Sequence, residues 1–327
     1  MKFSIIMPTY NCEKYIAEAI NSVFSQTYGD YELIIIDDGS TDNTLSIVKE
    51  LTSVRDDARV LLSSHGGVSK ARNLGLSYAS GDYILFMDGD DTWDANLLGS
   101  VANLSAEADL TVFGIRHDFY LSNDSFQYSD KDLGDSEEVE TWTEGQPINA
   151  LFSAYNMSSP CNKVYKREII EKNTISFCEK CVYLEDLKFN FDYLQCANII
   201  KVLKQDLYHY RLFLDEKKIF KRNFGEPFVN ADELYSSAIA YLDSKNVKLS
   251  SSDVICGILL TAYFNELVFH LNGKNAHEQK KLYHSFRQNN NLRTLLKNSH
   301  GKFNKLLLIM GNSLYGIQLR LIKRRYG

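Results

Sequence analysis

Three aspartates occupy nearly consecutive positions directly after an apolar run. Asp88, Asp90 and Asp91 follow Ile84–Met87, and Gly89 lies between the first two. Carboxylates this close repel one another unless a cation neutralises them, and oxygen ligands suit a hard divalent ion such as Mg²⁺ or Mn²⁺. The cluster therefore predicts a metal site, with an ordinary polar turn as the alternative, because Asp and Gly also favour turns.

A second acidic cluster begins at Asp37 and Asp38 and ends at Asp42. A carboxylate at the end of a strand can accept hydrogen bonds from a ribose, as in dinucleotide sites, or from the imide of a uracil. Ser40 or Thr41 in the same cluster could cap the following helix, and the two roles are compatible. The chain has neither a G-x-G-x-x-G after its first strand nor a G-x-x-x-x-G-K-[ST] loop, so we expect any diphosphate to be held through the metal.

These clusters need a scaffold that brings the ends of several strands together. The first 116 residues alternate between apolar runs typical of buried strands and amphipathic helical patterns. The predicted strands are residues 3–7, 31–36, 59–62, 83–87 and 110–115. Such alternation predicts an α/β fold with a largely parallel sheet, in which ligands bind beyond the carboxyl ends of the strands. Because polar clusters follow the first four strands, we expect one shared cleft.

The remainder of the chain is less regular. Residues 122–145 are predicted to form an irregular or hairpin insertion with an acidic, solvated surface. Helical patterns recur at residues 146–155, 167–172 and 186–197, strand-like runs at 199–203 and 207–212, and only helical patterns from about residue 224. We therefore place a domain boundary near Asp215, which divides the chain into residues 1–215 and a helical appendage at 216–327.

Four ordered segments in the first 95 residues resemble the family 2 inverting glycosyltransferases, which have a GT-A fold. They are Pro8–Asn11, Asp37–Asp42, Gly67–Gly75 and Asp88–Asp91. Two later segments, Ser159–Arg167 and Leu184–Asp186, extend the resemblance, although Cys161 stands where the family usually has an aromatic residue. The resemblance implies a nucleotide-binding half at about residues 1–116 and an acceptor half at about residues 117–215.

The resemblance implies roles for individual residues on the donor side. Asp88 and Asp90 would handle the ribose and the metal, Mn²⁺ or Mg²⁺, with Asp90 as the more direct ligand. Asp38 would contact the uracil ring, and Arg72 would lie near the base or the phosphates. The nucleotide pocket would also be lined by Pro8, Thr9 and Tyr10.

Further residues are implied at the metal and on the acceptor side. Some relatives add a histidine ligand from a late loop, and His209 is the candidate at a comparable place. The alternative is a packed histidine, because His209 lies between Tyr208 and Tyr210. Asn162 and Lys163, in the segment that follows the nucleotide half, are predicted to contact the acceptor.

The resemblance also implies a catalytic base at Glu185 and Asp186. Displacing a nucleoside diphosphate from an anomeric carbon leaves negative charge on the phosphate, which a divalent cation can stabilise. The incoming hydroxyl must lose a proton to a carboxylate on the opposite face of the donor. Asp186, on a different segment from the metal cluster, is the predicted general base, and Glu185 would orient the acceptor or substitute for it. The alternative is that the pair merely favours the start of a helix.

These residues together predict an inverting, metal-dependent glycosyltransferase. It would move a hexose from a nucleotide sugar, expected to be UDP-linked, to a hydroxyl of a glycan or glycoprotein. One alternative is a non-catalytic sugar-nucleotide binding protein with the same fold. The other is a glycoside hydrolase, which also uses paired carboxylates but releases sugar without any nucleotide.

The charge of the chain is unevenly distributed. The net charge is −6, yet residues 279–327 carry eleven Lys or Arg and no acidic residue, which leaves 25 basic against 42 acidic residues in 1–278. The acidic body argues against a nucleic-acid ligand. The basic, amphipathic helix predicted at residues 302–325 would lie on an anionic membrane surface, or dock on the body or on a second copy in a homodimer.

The expected location is the cytoplasm, with peripheral association at the inner face of the membrane. No run of about 18 unbroken apolar residues occurs, which argues against a membrane-spanning helix, and the first ten residues lack the order of a secretion signal. The six cysteines are expected to be free thiols, with zinc or redox chemistry at Cys178 and Cys181 as a minor alternative.

Overall fold

The computed structural model describes residues 1–121, 124–143, 146, 151–152, 155–213, 226–249, 253–271 and 274–298. Within these ranges the strands are β1 (Phe3–Thr9), β2 (Tyr31–Asp37), β3 (Ala58–Leu62), β4 (Tyr83–Phe86), β5 (Thr92–Trp93), β6 (Leu110–Tyr120), β7 (Phe126–Lys131), β8 (Asp135–Trp142), β9 (Lys163–Lys166) and β10 (Ile200–Phe213). The helices are α1 (Ile16–Phe24), α2 (Thr44–Thr52), α3 (Val68–Tyr78), α4 (Leu97–Ala106), α5 (Arg167–Lys172), α6 (Glu185–Leu194), α7 (Val229–Ser244), α8 (Asp253–Leu271), α9 (Ala276–Gln288) and α10 (Asn290–Asn298).

The strands form one mixed, mostly parallel sheet in the order β3-β2-β1-β4-β9-β6-β10-β5, with β7 added to β6 and β8 added to β10. β1 pairs in parallel with β2 and β4, and β6 pairs in parallel with β10. Every residue of β1 is buried, as expected for a central strand covered on both faces. The predicted α/β fold with a largely parallel sheet and a helical C-terminal region is confirmed.

The sheet is wider than the sequence pattern predicts. β7 and β8, from the predicted irregular or hairpin insertion, pair with β6 and β10 rather than with each other. β9 is a short antiparallel strand between β4 and β6, and its polar composition hides it from a search for apolar runs. The two strand-like runs after residue 198 are one strand, β10, interrupted by bulges.

The bulges in β10 are fixed by a contact with β6. Leu203 pairs with Phe113 and Asp206 pairs with Gly114, so extra residues accumulate on β10. A Cβ on Gly114 would lie 1.8 Å from Oδ1 of Asp206, and therefore only glycine fits there. The Asp206 carboxylate accepts hydrogen bonds from the backbone N–H groups of Leu133 and Gly134, at 2.9 and 3.1 Å.

The helices α7 to α10 pack on the sheet domain through α6. Phe191 of α6 stacks on Phe152 with ring centroids 5.1 Å apart and contacts Tyr241 of α7 at 5.6 Å. Within the region predicted to be helical from about residue 224, α9 and α10 are separated at Asn289. The predicted boundary at Asp215 and the predicted helix at 302–325 lie outside the described residues.

One helix passes a test of length and hydropathy for a membrane span, although the sequence has no unbroken apolar run of about 18 residues. Residues Val254–Leu271 of α8 are long and apolar enough by length and composition, with a mean hydropathy of 1.7. The mean hydropathy of this helix stays high although polar residues interrupt its apolar run. In this structure Ile255, Leu259 and Tyr263 are completely buried against neighbouring elements, so one face of α8 packs in the core, and 47% of the segment Val254–Leu271 is buried.

Candidate active site

All the residues predicted to bind the nucleotide line one cavity of about 580 Å³. The cavity lies at the ends of β1, β2 and β4 and the start of α3, where the parallel strands converge. The predicted residues that line it are Pro8, Thr9, Tyr10, Asp38, Arg72, Asp88 and Asp90. We call it the donor cavity.

Asp38 is held at the wall of the donor cavity by two glycines. The backbone N–H groups of Gly66 and Gly67 donate to Oδ1 and Oδ2 of Asp38 at 2.9 and 2.7 Å. Gly67 has φ of +87°, a conformation that other residues rarely adopt. The Asp38 carboxylate thus fixes the turn that leads into α3, and its remaining lone pairs are the ones left for a ligand.

The helix that follows β2 has Asn43 at its N-cap and no side-chain cap, so neither Ser40 nor Thr41 caps it. The backbone N–H of Thr44 donates to Oδ1 of Asp42 at 3.0 Å. Ser40 instead accepts a hydrogen bond from the backbone N–H of Asn11 at 3.1 Å, and so joins the loops after β1 and β2.

The acidic turn after β4 presents two carboxylates to the donor cavity, not three. Asp88 and Asp90 line the cavity, whereas Asp91 is almost completely buried elsewhere. The Tyr208 hydroxyl donates to Oδ2 of Asp91 at 2.5 Å, and the Arg211 backbone N–H donates to Oδ1 at 2.8 Å. Burial, followed by the charges of Asp90 and Asp88, raises the pKa of Asp91 well above its usual range. Asp91 therefore does not join the predicted metal cluster.

His209 is not brought to Asp88 and Asp90. It lines neither cavity at the site, and its ring nitrogens lie 3.3 Å from Asp94 and Asp118. The reason is strand alternation, because Tyr208 and Tyr210 face the cavities and the residue between them must face the other side of β10.

Of the residues predicted to hold the divalent cation, Asp88 and Asp90 lie in the donor cavity. Among the described residues, no group of three or more His, Cys, Asp or Glu side chains could hold a metal ion. Mg²⁺ and similar ions are commonly held by one or two carboxylates, with substrate phosphates and water completing the shell. The donor set of Asp88 and Asp90 therefore fits a cation that arrives with a nucleoside diphosphate, and does not fit a permanently caged ion.

Arg72 joins the acidic turn to the predicted base. Its side chain, on α3, is only 3% exposed. Nη1 donates to Oδ1 of Asp186 at 2.5 Å, and Nη2 donates to Oδ1 of Asp88 at 2.9 Å. The guanidinium also lies 5.1 Å from the centre of the Phe177 ring. Arg72 thus lies at the wall of the donor cavity and connects Asp88 to Asp186.

Asp186 lies in the first turn of α6 at the boundary of the donor cavity, with a third of its side chain exposed. Burial raises the pKa of its carboxyl to about 7, Arg72 opposes this rise, and the charges of Glu185 and Asp88 add to it. A carboxylate with a pKa near neutrality can both take up and release a proton under physiological conditions. The geometry and the pKa both suit a general base.

A second cavity of about 330 Å³ meets the donor cavity at this point. The residues that line both are Asp88, Glu185, Asp186 and Tyr210. The rest of the second cavity includes polar groups from Asn156, Ser158 and Ser159 and the aromatic ring of Tyr183. We call it the acceptor-side cavity. A hydroxyl bound there and a molecule bound in the donor cavity would lie on opposite sides of Asp186.

Asn162 and Lys163 do not reach the acceptor-side cavity, which corrects their predicted contact with the acceptor. Both are completely buried. Nζ of Lys163 donates to the carbonyl oxygens of Asn156 and Ser159 at 2.7 and 2.5 Å, and Nδ2 of Asn162 donates to the carbonyl of Phe113 at 2.8 Å. The two residues therefore shape the loop whose side chains line the cavity.

Sequence reasoning did not name several residues of the acceptor-side cavity individually. Ser159 begins a segment that resembles the family, and Asn156 and Ser158 lie directly before it. Tyr183 lies in a loop that no local pattern marks. Cys161, which replaces an aromatic residue of the family motif, also lines this cavity. A smaller side chain at this position leaves more room for the acceptor.

Two cysteines depart from the expectation of free thiols. Cys178 and Cys181 form a disulfide, with Cα atoms 5.3 Å apart. The other four cysteines are free, as expected. The C-x-x-C spacing allowed the pair to meet in the loop before α6.

Comparisons with known proteins identify the family and the fold of this chain. Residues 4–174, just over half of the chain, match the family model described as Glycosyl transferase family 2. The chain is 32% identical to the poly(ribitol-phosphate) β-N-acetylglucosaminyltransferase TarS of Staphylococcus aureus strain Mu50 over 213 residues, which are 64% of this chain and 35% of that protein. It is 47% identical over 96 residues to the UDP-Glc:α-D-GlcNAc-diphosphoundecaprenol β-1,3-glucosyltransferase WfgD of Escherichia coli, over 29% of this chain and 37% of the relative.

The fold is shared with a solved relative over nearly the whole chain. The crystal structure of S. aureus TarS 1-349 in complex with UDP-GlcNAc matches with a TM-score of 0.72 and 25% sequence identity, covering 96% of this chain and 88% of that one. The sequence matches span little more than a third of the length of TarS and WfgD. The family model, the relatives and the shared structure show that this chain belongs to glycosyl transferase family 2 and is a glycosyltransferase with the GT-A fold.

Proposed function

We propose that this enzyme transfers a hexose from a UDP-sugar to a hydroxyl of a glycan or glycoprotein acceptor, with inversion at the anomeric carbon and with a divalent cation. One observation carries the proposal. The donor and acceptor-side cavities meet at a single boundary, and the proposed base Asp186 and the acidic turn residue Asp88 both belong to it.

The donor cavity suits a nucleoside diphosphate sugar. Pro8 and Thr9 are the last two residues of β1, Asp38 directly follows β2, and Asp88 and Asp90 lie in the turn after β4. Asp38 offers carboxylate lone pairs to the imide of the base, which favours uracil. Asp88 and Asp90 would hold Mn²⁺ or Mg²⁺, and a cation bound there supplies positive charge to the departing diphosphate.

The acceptor hydroxyl would enter from the acceptor-side cavity. Asp186 would accept its proton as the oxygen attacks the anomeric carbon, and Arg72 would keep the carboxylate oriented. Attack from the Asp186 side, with the diphosphate leaving on the side of Asp88 and Asp90, inverts the anomeric configuration. Glu185 lines the same boundary and would orient the acceptor.

The relatives support a UDP-linked donor. The name of WfgD specifies UDP-Glc and a β-1,3 linkage, and TarS is solved with UDP-GlcNAc. We propose that the present enzyme uses a donor of this class, such as UDP-glucose, UDP-galactose or an N-acetylated form, and acts in the cytoplasm. Association with an anionic membrane surface or with a second copy stays a prediction, because the basic helix at 302–325 lies outside the described residues.

The test is transfer from a panel of nucleotide sugars with Mn²⁺ and with chelator, using wild type, Asp186→Asn and Asp192→Asn. Asp192 is the matched control, because it lies on the same helix and pairs with Lys188 instead of lining a cavity. We expect Asp186→Asn to lower transfer by roughly 100-fold or more while UDP binding is retained, and Asp192→Asn to behave as wild type.

Other outcomes would favour the alternatives. Full transfer by Asp186→Asn would remove the assignment of the base. Binding of UDP without turnover of any donor would indicate a non-catalytic binding protein. Release of sugar from a glycan without any nucleotide would indicate a hydrolase.

A further inference from the structure

The turn that presents Asp186 has an unfavourable backbone conformation. Leu184, directly before Glu185 and Asp186, has φ of +65°, in the left-handed region. A residue as bulky as leucine rarely adopts this region, and it stays there only when surrounding contacts hold it. The position of the proposed base therefore depends on what holds residues 182–184.

A side chain from beyond the sheet domain holds this turn. Oδ1 of Asn230, near the start of α7, accepts hydrogen bonds from the backbone N–H groups of Val182 and Tyr183, at 2.9 and 3.3 Å. Asn230 is only 1% exposed, so water does not compete for these bonds. The amide thus restrains the two residues that precede Leu184.

Asn230 is itself oriented by α8. Oε1 of the completely buried Glu266 accepts a hydrogen bond from the backbone N–H of Ala231 at 2.6 Å. Burial raises the pKa of the Glu266 carboxyl to about 7, while the Ala231 N–H and the side-chain amide of Asn230 lower it. The amide nitrogen of Asn230 lies towards this carboxyl, although Nδ2 of Asn230 and Oε2 of Glu266 are buried without a hydrogen-bond partner among the described residues. The oxygen end of the amide accepts from the turn. The preceding residue on α8, Asn265, donates to the Tyr183 hydroxyl at 3.1 Å.

We propose that Asn230, oriented by Glu266, is a positioning residue for glycosyl transfer: it holds the 182–184 turn so that Asp186 stays between the donor and acceptor-side cavities. The inference rests on the proposed role of Asp186 as the base. It gives the helices α7 and α8 a part in catalysis although they contribute no residue to the donor cavity. Small displacements of a catalytic group are costly, with about 100-fold lost for a shift of about 1 Å.

The first experiment compares Asn230→Ala with Asp232→Ala in the full chain. Asp232 is the matched control, because it lies on the same helix and accepts hydrogen bonds from Tyr263 and Asn291, and so ties α7 to α8 and α10 without touching the turn. We expect Asn230→Ala to lower kcat by about 10- to 100-fold with the KM for the UDP-sugar within about twofold of wild type. Asp232→Ala should lower the melting temperature and leave kcat within about twofold.

The second experiment exchanges the two polar groups. Asn230→Asp keeps the oxygen that accepts from the turn but places a carboxyl against Glu266, and we expect kcat to fall. In Asn230→Asp/Glu266→Gln the amide and carboxyl have changed places, so an amide again faces a carboxyl and two like carboxyls no longer meet. We expect this double variant to recover kcat to within about threefold of wild type, together with its melting temperature.

Two results would overturn the inference. One is an Asn230→Ala protein with wild-type kcat, and the other is a double variant that recovers neither kcat nor its melting temperature. Asp186→Asn is measured beside them. If Asp186→Asn is inactive while Asn230→Ala is fully active, only the positioning role fails, whereas full activity of Asp186→Asn removes the base and leaves Asn230 nothing to position.

Discussion

Arg72 donates a hydrogen bond to Asp186 at 2.5 Å in a setting where the guanidinium is almost completely buried. The proposed base thus has a permanent positive charge beside it. Burial raises the pKa of Asp186 to about 7, and this charge opposes the rise. The protonation of Asp186 therefore depends on a balance between desolvation and one fixed cation, and its consequences can be measured.

The first prediction concerns the pH dependence of the wild-type enzyme. Asp186 acts as a base only when deprotonated, so kcat/KM should fall about tenfold per pH unit below pH 7 and level off above it. The measurement is initial transfer rates at several pH values with saturating Mn²⁺. A profile that stays flat from pH 5 to pH 8 would contradict Asp186 as the group that titrates.

The second prediction concerns Arg72→Gln. Removing the cation takes away the charge that lowers the pKa of Asp186, so this pKa should rise and the acid limb of the profile should move to higher pH. Activity at pH 7 should fall by about tenfold or more. Lys70→Gln is the control, because Lys70 lies exposed on the same helix and donates a hydrogen bond to Ser64. An unmoved acid limb in Arg72→Gln would show that the contact does not set the pKa.

The third prediction separates neighbouring aspartates of the acidic turn. Asp90→Asn should weaken Mn²⁺ binding in the presence of UDP by about tenfold or more, because Asp90 lines the donor cavity. Asp91→Asn should leave Mn²⁺ affinity within about threefold, because Asp91 is bonded to Tyr208 and Arg211. Calorimetric titration of both variants with Mn²⁺ and UDP checks this. Equal losses in the two variants would refute the division of roles.

The fourth prediction concerns stability and Lys163. Burial lowers the pKa of the Lys163 ammonium to about 7, below its ordinary value of 10.5. Between these values the unfolded chain binds a proton that the folded chain does not, so folding becomes more favourable as pH rises. Relative to Lys163→Met, the wild-type free energy of unfolding should increase by about 2 kcal/mol from pH 7 to pH 9. Urea unfolding at the two pH values measures it, and a constant difference would argue against the lowered pKa.

The fifth prediction uses two glycines of opposite character. Gly114→Ala forces a Cβ against Asp206 and should lower the free energy of unfolding by about 2 kcal/mol or more. Gly257→Ala meets nothing within 4 Å on α8 and should raise it by about 0.5–1 kcal/mol. Denaturant unfolding of both variants compares the signs. Two changes of the same sign would disprove the close contact at Gly114.

The donor half could be predicted from the sequence because its signals are local. The end of each strand is marked by a change from apolar to polar residues, and the topology of a parallel sheet brings these ends together. Pro8, Asp38 and Asp88 therefore all line one cavity as expected. The family resemblance assigns chemistry to these positions but does not show their directions, and Asp91 and His209 face elsewhere.

The acceptor half could not be predicted to the same extent, because its contacts join distant parts of the chain. A lysine often binds ligands, yet Lys163 is buried and makes three hydrogen bonds within the protein. Asn230 looks like any polar residue at a helix start, and its partners Val182 and Tyr183 are nearly fifty residues away. No local pattern reveals such pairs.

The bulges of β10 have a consequence for how this enzyme could diverge. They set the register of the strand, so that the two phenols of Tyr208 and Tyr210 face the acceptor-side cavity while the imidazole of His209 faces away. Losing or gaining one residue near Asp206 would shift the register of β10 by one position. The imidazole would then face the cavity in place of the phenols. A single-codon deletion would thus replace two phenols by one imidazole at the acceptor-side cavity, with every side chain of the acidic turn left intact.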